Sequence, residues 1–504
     1  MSPGFFRSQF RGIMRAVSAM KVFPMKILRK LIGAVSMLLL ATACQGQSDD
    51  QHIAAIVANL SPAMVKEGAP IHGKSLRETM NEDHVSAVSI AFIRHGNIAW
   101  VRSFGTLGIG GAPVAPDTLF QAGSISKPVT ATAAMHLVQQ GKLSLDENVN
   151  TSLVHWKLPA SDKAEGKPVT LRELLSHTAG INVHGFPGYA AGTPVPTTLQ
   201  VLDGTPPATN SPIRVEQVPG KQWNYSGGGY VILQQMITDV TGQSFADVLR
   251  DMVLKPYGMT HSSFQQPLAP GSLKQVAMPY EANGTPIAGG PHVYPELAAA
   301  GLWTTASDLA HFLLATQQAL MHGNTVLNMS TAQQMVTPGL GDWGLGLEIG
   351  GKPDHRYFWH GGGNESYQCI MTAYEGEGDG AVVMTNSNHG YALANDVVRS
   401  IAREYQWPDW GPRVVHTVSV DAATLKRYVG TYKINPWFSF VVTFQNDKLF
   451  IQGTGQPNLE LWPESPARFT FVVDVDVAFV RDAHGTVTGM NVLQDGKTTF
   501  AKKQ

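Results

Sequence analysis

The sequence predicts an α/β body, in which one sheet gathers segments far apart in the chain, followed by a separate all-β module. Three observations carry this. Strand-like runs lie near residue 90 and again near residue 370, with helical periodicity between them. From about Asp421 the helical period is lost and short strands alternate with turns. At 504 residues, 43% of them hydrophobic, the chain is long enough for two or three domains, one with a substantial core.

The chain opens on an export-like segment: "MKILRK" is a basic region and "LIGAVSMLLLA" an apolar run too short to span a bilayer with ease. In the following "ATAC", Ala41 and Ala43 fit a small-residue cleavage site, and the position of Cys44 resembles the lipid-attachment site of bacterial lipoproteins, although Ala41 stands where Leu is commoner. Export is therefore expected, to the periplasm or to an outer-membrane anchor through Cys44, with simple secretion as the alternative; Met25 would give a signal of ordinary length. Seven basic residues and no acidic one precede Cys44, so the rest of the chain holds 30 basic against 38 acidic residues. A net charge of −8 disfavours nucleic acid as a partner. Cys44 and Cys369 are the two cysteines, which leaves no disulfide framework. Cys369 lies in the apolar run "YQCIMTAY" and reads as a buried, inert thiol.

After a polar linker near "QGQSDDQH", the run "VSAVSIAFIRHGNIAWVRSFG" predicts two strands around a turn at His95-Gly96-Asn97. A helix starts near Ser124, with Val129, Ala133, Ala134, Leu137 and Val138 on one face and Gly141 placed to end it. "TLRELLSHTAGI" and "SFADVLRDMVLKPYGM" predict short amphipathic helices. Between them, residues 185–215, rich in Pro, Gly and Thr, read as a long loop or lid. "FWHGGGNESYQCIMTAY" and "GAVVMTN" predict strands bracketing the turn "EGEGDG". Beyond Asp421, turns at Asn446-Asp447, His484-Gly485 and Asp495-Gly496 separate the strands of a small barrel or sandwich.

The stretch "FQAGSISKPVTATAAMHLV" places Ser124 and Lys127 three residues apart. A serine hydroxyl needs an adjacent base to act as a nucleophile. Residues at i and i+3 share a helix face, and burial would lower the lysine pKa toward that of a useful base. Pro128 is tolerable only within or just past the first turn. Alone, this spacing also describes a solvated lysine at a helix start, so context must decide. "WNYSGGGY" puts Tyr225 in a glycine-rich turn, where a phenol can pass protons or merely pack. "WHGGGNESY" places His360 before Gly361, Gly362 and Gly363, which leave backbone N–H groups open to a substrate. His360 alone would read as a structural histidine, and Glu365 as a solvated carboxylate.

With "SISK", "YSG" and "HGG" in that order, and with the flanking "FQAGSISK", "LRELLSHTAGI" and "AAAGLWTTASDLAHFL", the chain resembles the serine β-lactamase and penicillin-binding-protein-like hydrolases over roughly residues 85–388. Specifically, it resembles the branch of class C β-lactamases with their esterases, D-aminopeptidases and D-alanyl-D-alanine carboxypeptidases. The resemblance implies an α/β (α+β) catalytic domain with a central antiparallel sheet and helices. It implies a serine hydrolase in which Ser124 is acylated, Lys127 is the base and Tyr225 transfers protons. His360 takes the position of the lysine in K-T-G, and the N–H groups of Ser124 and Gly363 form the oxyanion hole. The substrate would be a small molecule or peptide carrying an ester, a β-lactam or a D-amino-acid amide, with no cofactor. The family's Y-x-N motif ends here in Gly227, which weakens the case for an efficient β-lactamase and is read as leaving room for other acyl groups.

Other chemistries fit less well. "HGGG" also occurs in α/β-hydrolases, but no G-x-S-x-G elbow is present. The pairs His52/His84, His177/His184 and His355/His360 lack zinc-site spacing, so no metal is expected, and His177 is read as bracing a loop beneath the site. The terminal module resembles lipocalin-like appendages through "YVGTYKI" and "GTVTGMNVLQDGKTTFAKK", and could pack on the body, form a homo-oligomer or bind a ligand. The expected organisation is a signal over residues 1–43, a linker and helix over 44–80, the hydrolase domain over 81–412 and the β module over 420–504. The rival function is a non-catalytic envelope protein that binds peptidoglycan or a partner through the same fold.

Overall fold

The computed structural model describes residues 48–504 other than Ala282, Glu377, Pro457, Val473, Asp474, Asp495 and Gly496. The export segment, Cys44 and the turn at Asp495-Gly496 lie outside the described residues. Two units divide between Ile53 and Ala54. Residues 48–53 of the first begin the helix Asp49–Ala58, and every feature below lies in the second.

Strands β1 (Ala87–Arg94), β2 (Asn97–Gly105), β3 (Glu348–Gly350), β4 (Tyr357–Asn364), β5 (Tyr367–Tyr374) and β6 (Gly380–Thr385) form one sheet in the order β2-β1-β6-β5-β4-β3. Every neighbouring pair is antiparallel, and β1 inserts beside β6 from nearly three hundred residues away. The first hairpin turns on His95 and Gly96, at φ +50° and +72°, with Arg94 facing Asn97. Two successive positive φ values match the right-handed twist of paired strands. All six residues of β6 are buried, as a strand covered on both faces requires, and helices α3 (Ala306–His322) and α4 (Gly390–Tyr405) pack against it.

Helix α1 (Ser126–Gln139) departs from the amphipathic expectation. It is buried all round from Ser126 to Met135, because other helices surround it instead of water. Its buried hydroxyls find acceptors within the protein: Thr132 Oγ1 donates to Pro128 O at 3.0 Å, and Ser126 Oγ to Gly123 O at 2.6 Å. Gly141, at φ +70°, donates its N–H to Val138 O and ends the helix.

Residues 185–215 are not a free loop. They contain the helix Thr198–Asp203, started by a reciprocal cap between Thr197 and Gln200 and anchored by the fully buried Val201 and Leu202.

Eight strands, β7 (Gly430–Asn435), β8 (Phe438–Gln445), β9 (Lys448–Gly453), β10 (Asn458–Pro463), β11 (Arg468–Val472), β12 (Val475–Arg481), β13 (Val487–Gln494) and β14 (Lys497–Lys503), close an antiparallel barrel. This is the barrel alternative, in keeping with a lipocalin-like module. Tyr432 facing Lys503 seals first strand to last. A parallel pair, Met64–Lys66 with Arg413–Val415, runs just ahead of the barrel. Arg413 donates to Glu464 at 2.8 Å and to Asp476 at 3.3 Å, which pins the connecting segment to the barrel wall.

Candidate active site

Ser124 sits in a 3-10 turn, Gly123–Ile125, directly before α1. The turn is held from below. Phe120–Gln121 pairs with Trp303–Thr304, Ala122 N–H donates to Leu302 O at 2.9 Å, and Ser126 Oγ accepts from Leu302 N–H at 3.0 Å. Gly123 has φ +50°, and a Cβ there would come within 2.6 Å of Gly363 N. Only glycine permits this approach of β4 to the serine turn. Pro128 is the third residue of α1, inside the first turn, where its missing N–H has no intrahelical acceptor to lose.

Lys127 Nζ is hydrogen-bonded to Ser124 Oγ at 3.0 Å and donates to Ala299 O at 2.9 Å. It lies 4.9 Å from the centre of the Tyr225 ring and 5.7 Å from that of Tyr230. The residue is 2% exposed, and desolvation lowers its pKa to about 7. Near neutrality about half of the amine is therefore uncharged, with a lone pair to offer. The Tyr225 phenol lies near Ser124, and burial raises its pKa, so the phenol keeps its proton.

Tyr225 is held on both sides by His177. Asn224 N–H donates to His177 O at 2.7 Å, and Ser226 N–H donates to His177 Nδ1 at 3.1 Å. Accepting at Nδ1 places the His177 proton on Nε2. The two rings lie 4.3 Å apart. Ser226 then caps helix α2 (Gly227–Thr241) by accepting from Gly229 N–H, which sets where the glycine-rich turn becomes helix.

His360 projects from β4 with its ring 6.5 Å from Tyr225 and edge-on to Trp343 at 5.4 Å. Its Nδ1 bonds to Gly361 O, an acceptor only, so Nδ1 carries the proton and Nε2 is a free acceptor. Nε2 is buried and has no partner among the described residues. Desolvation first, and the neighbouring Lys127 second, lower the His360 pKa to about 3, so the ring is neutral at ordinary pH.

The three glycines of β4 differ in function. A Cβ on Gly362 would strike Ala122 O at 2.0 Å, so this glycine allows the strand to lie against the serine turn. At Gly361 a Cβ would meet Tyr391 Oη at 3.1 Å. A two-residue turn joins β4 to β5 with Asn364 facing Tyr367, so ladder alternation leaves Gly363 and Gln368 a pair that exchanges no backbone hydrogen bonds. Gly363 N–H thus points off the free edge of β4, beyond residues 357–359 that β3 covers, and toward the turn bearing Ser124.

Several contributors were not singled out from sequence. Asn364 Nδ2 donates to Gln121 Oε1 at 2.7 Å and to Ala300 O at 3.0 Å, tying β4 to the serine strand and to the segment carrying the Lys127 acceptor. Its place directly after "HGGG" was a usable signal. Trp343 and Tyr230 wall the site, and Ala299 serves through its backbone, which no side chain announces. Glu365, half-buried, accepts from Asn388 Nδ2 at 2.8 Å. Cys369 is buried, donates to Ala122 O at 3.3 Å, and has its pKa raised by burial. The space beside Gly227 is not empty as its small size suggested: a Cβ there would meet Phe186 Cε2 at 3.0 Å and His184 O at 3.1 Å. Among the described residues no group of three His, Cys, Asp or Glu side chains gathers as a metal cluster.

A serine and a buried lysine from one turn, met on this fold by a tyrosine from a distant segment, define a serine hydrolase of the β-lactamase-like class. The chain belongs to the Beta-lactamase family, whose model matches residues 74–404, and residues 416–502 match a domain of unknown function, DUF3471. It is 24% identical to penicillin-binding protein 4* of Bacillus subtilis (strain 168) over 82% of this chain and 94% of that protein. Two solved structures share the fold. The octameric penicillin-binding protein homologue from Pyrococcus abyssi aligns at TM-score 0.57 and 22% identity, covering 85% of this chain and 98% of that one. The D-amino acid amidase from Ochrobactrum anthropi SV3 aligns at TM-score 0.52 and 23% identity, covering 66% and 98%.

Proposed function

We propose that the enzyme hydrolyses an ester or amide through an acyl-enzyme on Ser124. The observation that carries this is the buried Lys127 amine, its pKa lowered to about 7 by desolvation, held 3.0 Å from Ser124 Oγ. Lys127 takes the Ser124 proton as Oγ attacks the acyl carbonyl, and the oxyanion is met by the N–H groups of Ser124 and Gly363, each such donor contributing about 3 kcal/mol in the transition state. Tyr225, kept protonated by burial, relays a proton to the departing alcohol or amine. Water then attacks the acyl-serine, Lys127 accepting its proton and returning it to Ser124 Oγ as the acyl–oxygen bond breaks and the free acid leaves. His360 Nε2 offers a lone acceptor to a substrate donor.

Phe186 beside Gly227 supports an apolar acyl group over one that needs an amide contact there. The candidate substrates are short-chain esters, D-amino-acid peptides and β-lactams. Export with lipid attachment at Cys44 belongs to the same proposal, supported by the signal-like leader. So does a homo-oligomer through the barrel, supported by the octameric state named for the Pyrococcus abyssi homologue.

The test compares a nitrophenyl ester, a D-alanyl-D-alanine peptide and a chromogenic cephalosporin, each with wild type and Ser124→Ala. Turnover of at least one substrate, lost in the variant, is expected. Turnover unaffected by the substitution, or none with any of the three, would overturn the reading, the latter in favour of a non-catalytic envelope protein.

A further inference from the structure

The barrel is packed unequally along its axis. At the end entered by the helix Ala422–Arg427, Tyr428 stacks on Phe479 with centroids 4.0 Å apart, and Phe469 meets both edge-on. Alternation along the strands directs Phe438, Phe440, Leu459 and Phe471 inward at the other end, beside the β7–β8 turn. There the lumen is not filled. These side chains wall a cavity of about 610 Å³, within the range of small-molecule sites, and eight-stranded barrels are wide enough to hold one small ligand.

The mouth carries polar groups on opposite walls of the barrel. Lys497 and Thr499 stand at inward positions of β14, since Ala501 on the same face is fully buried. A Cβ on Gly453 would strike Gln456 Oε1 at 2.3 Å, so glycine makes room for the Gln456 amide at the lip. Trp437, on the β7–β8 turn beside Phe438, is 85% exposed, a large apolar ring left in water next to an apolar opening.

We propose that the open end of the barrel binds a single-chain amphiphile with a carboxylate head. Its tail would occupy the lumen among the phenylalanines, and its head would lie at the rim with Lys497. Trp437 would contact the ligand as it enters. This site is separate from Ser124 and requires no chemistry there.

A dansyl-labelled undecanoic acid tests the proposal on the full chain. Saturable one-to-one binding is expected, with competition by straight-chain carboxylates from octanoate to tetradecanoate tightening about fourfold per added methylene. Lys497→Glu, at an exposed position, should weaken binding by about fivefold. Leu459→Trp, with its strand signal in circular dichroism retained, should abolish binding by filling the lumen. Prior labelling of Ser124 with a fluorophosphonate should leave binding intact. Affinity independent of chain length, binding unchanged in both variants, no saturable binding, or loss of binding on labelling Ser124 would each overturn the assignment.

Discussion

Lys127 Nζ lies 3.0 Å from Ser124 Oγ while the lysine is 2% exposed and makes no ion pair among the described residues. A cation in that position would lack a counter-charge, and desolvation alone accounts for the lowered pKa. The relationship between these two side chains governs both activity and stability.

The first consequence is in the pH profile. Lys127 accepts a proton only when uncharged, and its pKa is lowered to about 7, so kcat/KM should rise with pH through a single ionisation near 7 and then level off. His360, lowered to about 3, and Tyr225, raised by burial, contribute no limb between pH 5 and 9. Steady-state rates on a nitrophenyl ester whose own hydrolysis is subtracted provide the check.

Stability should also rise with pH, but over a higher window. Between about pH 7 and 10.5 the folded amine holds fewer protons than the unfolded one, so native stability rises with pH across that window, and below it the full penalty of the buried amine is present. Lys127→Met should be inactive yet more stable at pH 7, by an amount on the order of a few kcal/mol, with the advantage shrinking as pH approaches 10.5. Urea denaturation at several pH values measures it.

His177 acts through Tyr225, and its backbone at φ +58° restricts what can replace it. His177→Ala removes the acceptor for Ser226 N–H and should lower kcat by roughly 10- to 100-fold with little change in KM. His177→Asn, which tolerates that backbone and carries an acceptor, should restore part of the loss. Equal loss in both variants, with KM raised in step, would point to a general structural defect instead.

Much of this site was legible because its chemistry is local. The Ser124–Lys127 spacing guarantees a shared helix face, and Tyr225 and His360 stand in glycine-bearing motifs. The contact of Phe186 with Gly227 joins residues 41 positions apart across a turn, and no periodicity reports it. For the same reason the burial of α1 on every side was missed: a helical period reveals the apolar face, but surrounding helices decide whether Thr130 and Thr132 also lose water. In the terminal module, alternation is identical in a barrel and a sandwich. The distinction rests on Tyr432 meeting Lys503, a pairing between its two ends.

Phe186 and Gly227 give the substrate prediction. Gly227→Asn alone drives a side chain toward Phe186 Cε2, already 3.0 Å from the added Cβ, and should reduce ester turnover. Adding Phe186→Ala opens that space, and the double variant should gain cephalosporin or peptide turnover relative to ester turnover. The ratio of kcat/KM values for the substrates, in both single variants and the double variant, checks it.

The most direct measurement is mass-spectrometric mapping of the protein after reaction with a fluorophosphonate. A single adduct on Ser124 is expected, absent in Ser124→Ala and formed much more slowly in Lys127→Ala. An adduct on another residue, or labelling of Ser124 at an unchanged rate without Lys127, would contradict the account.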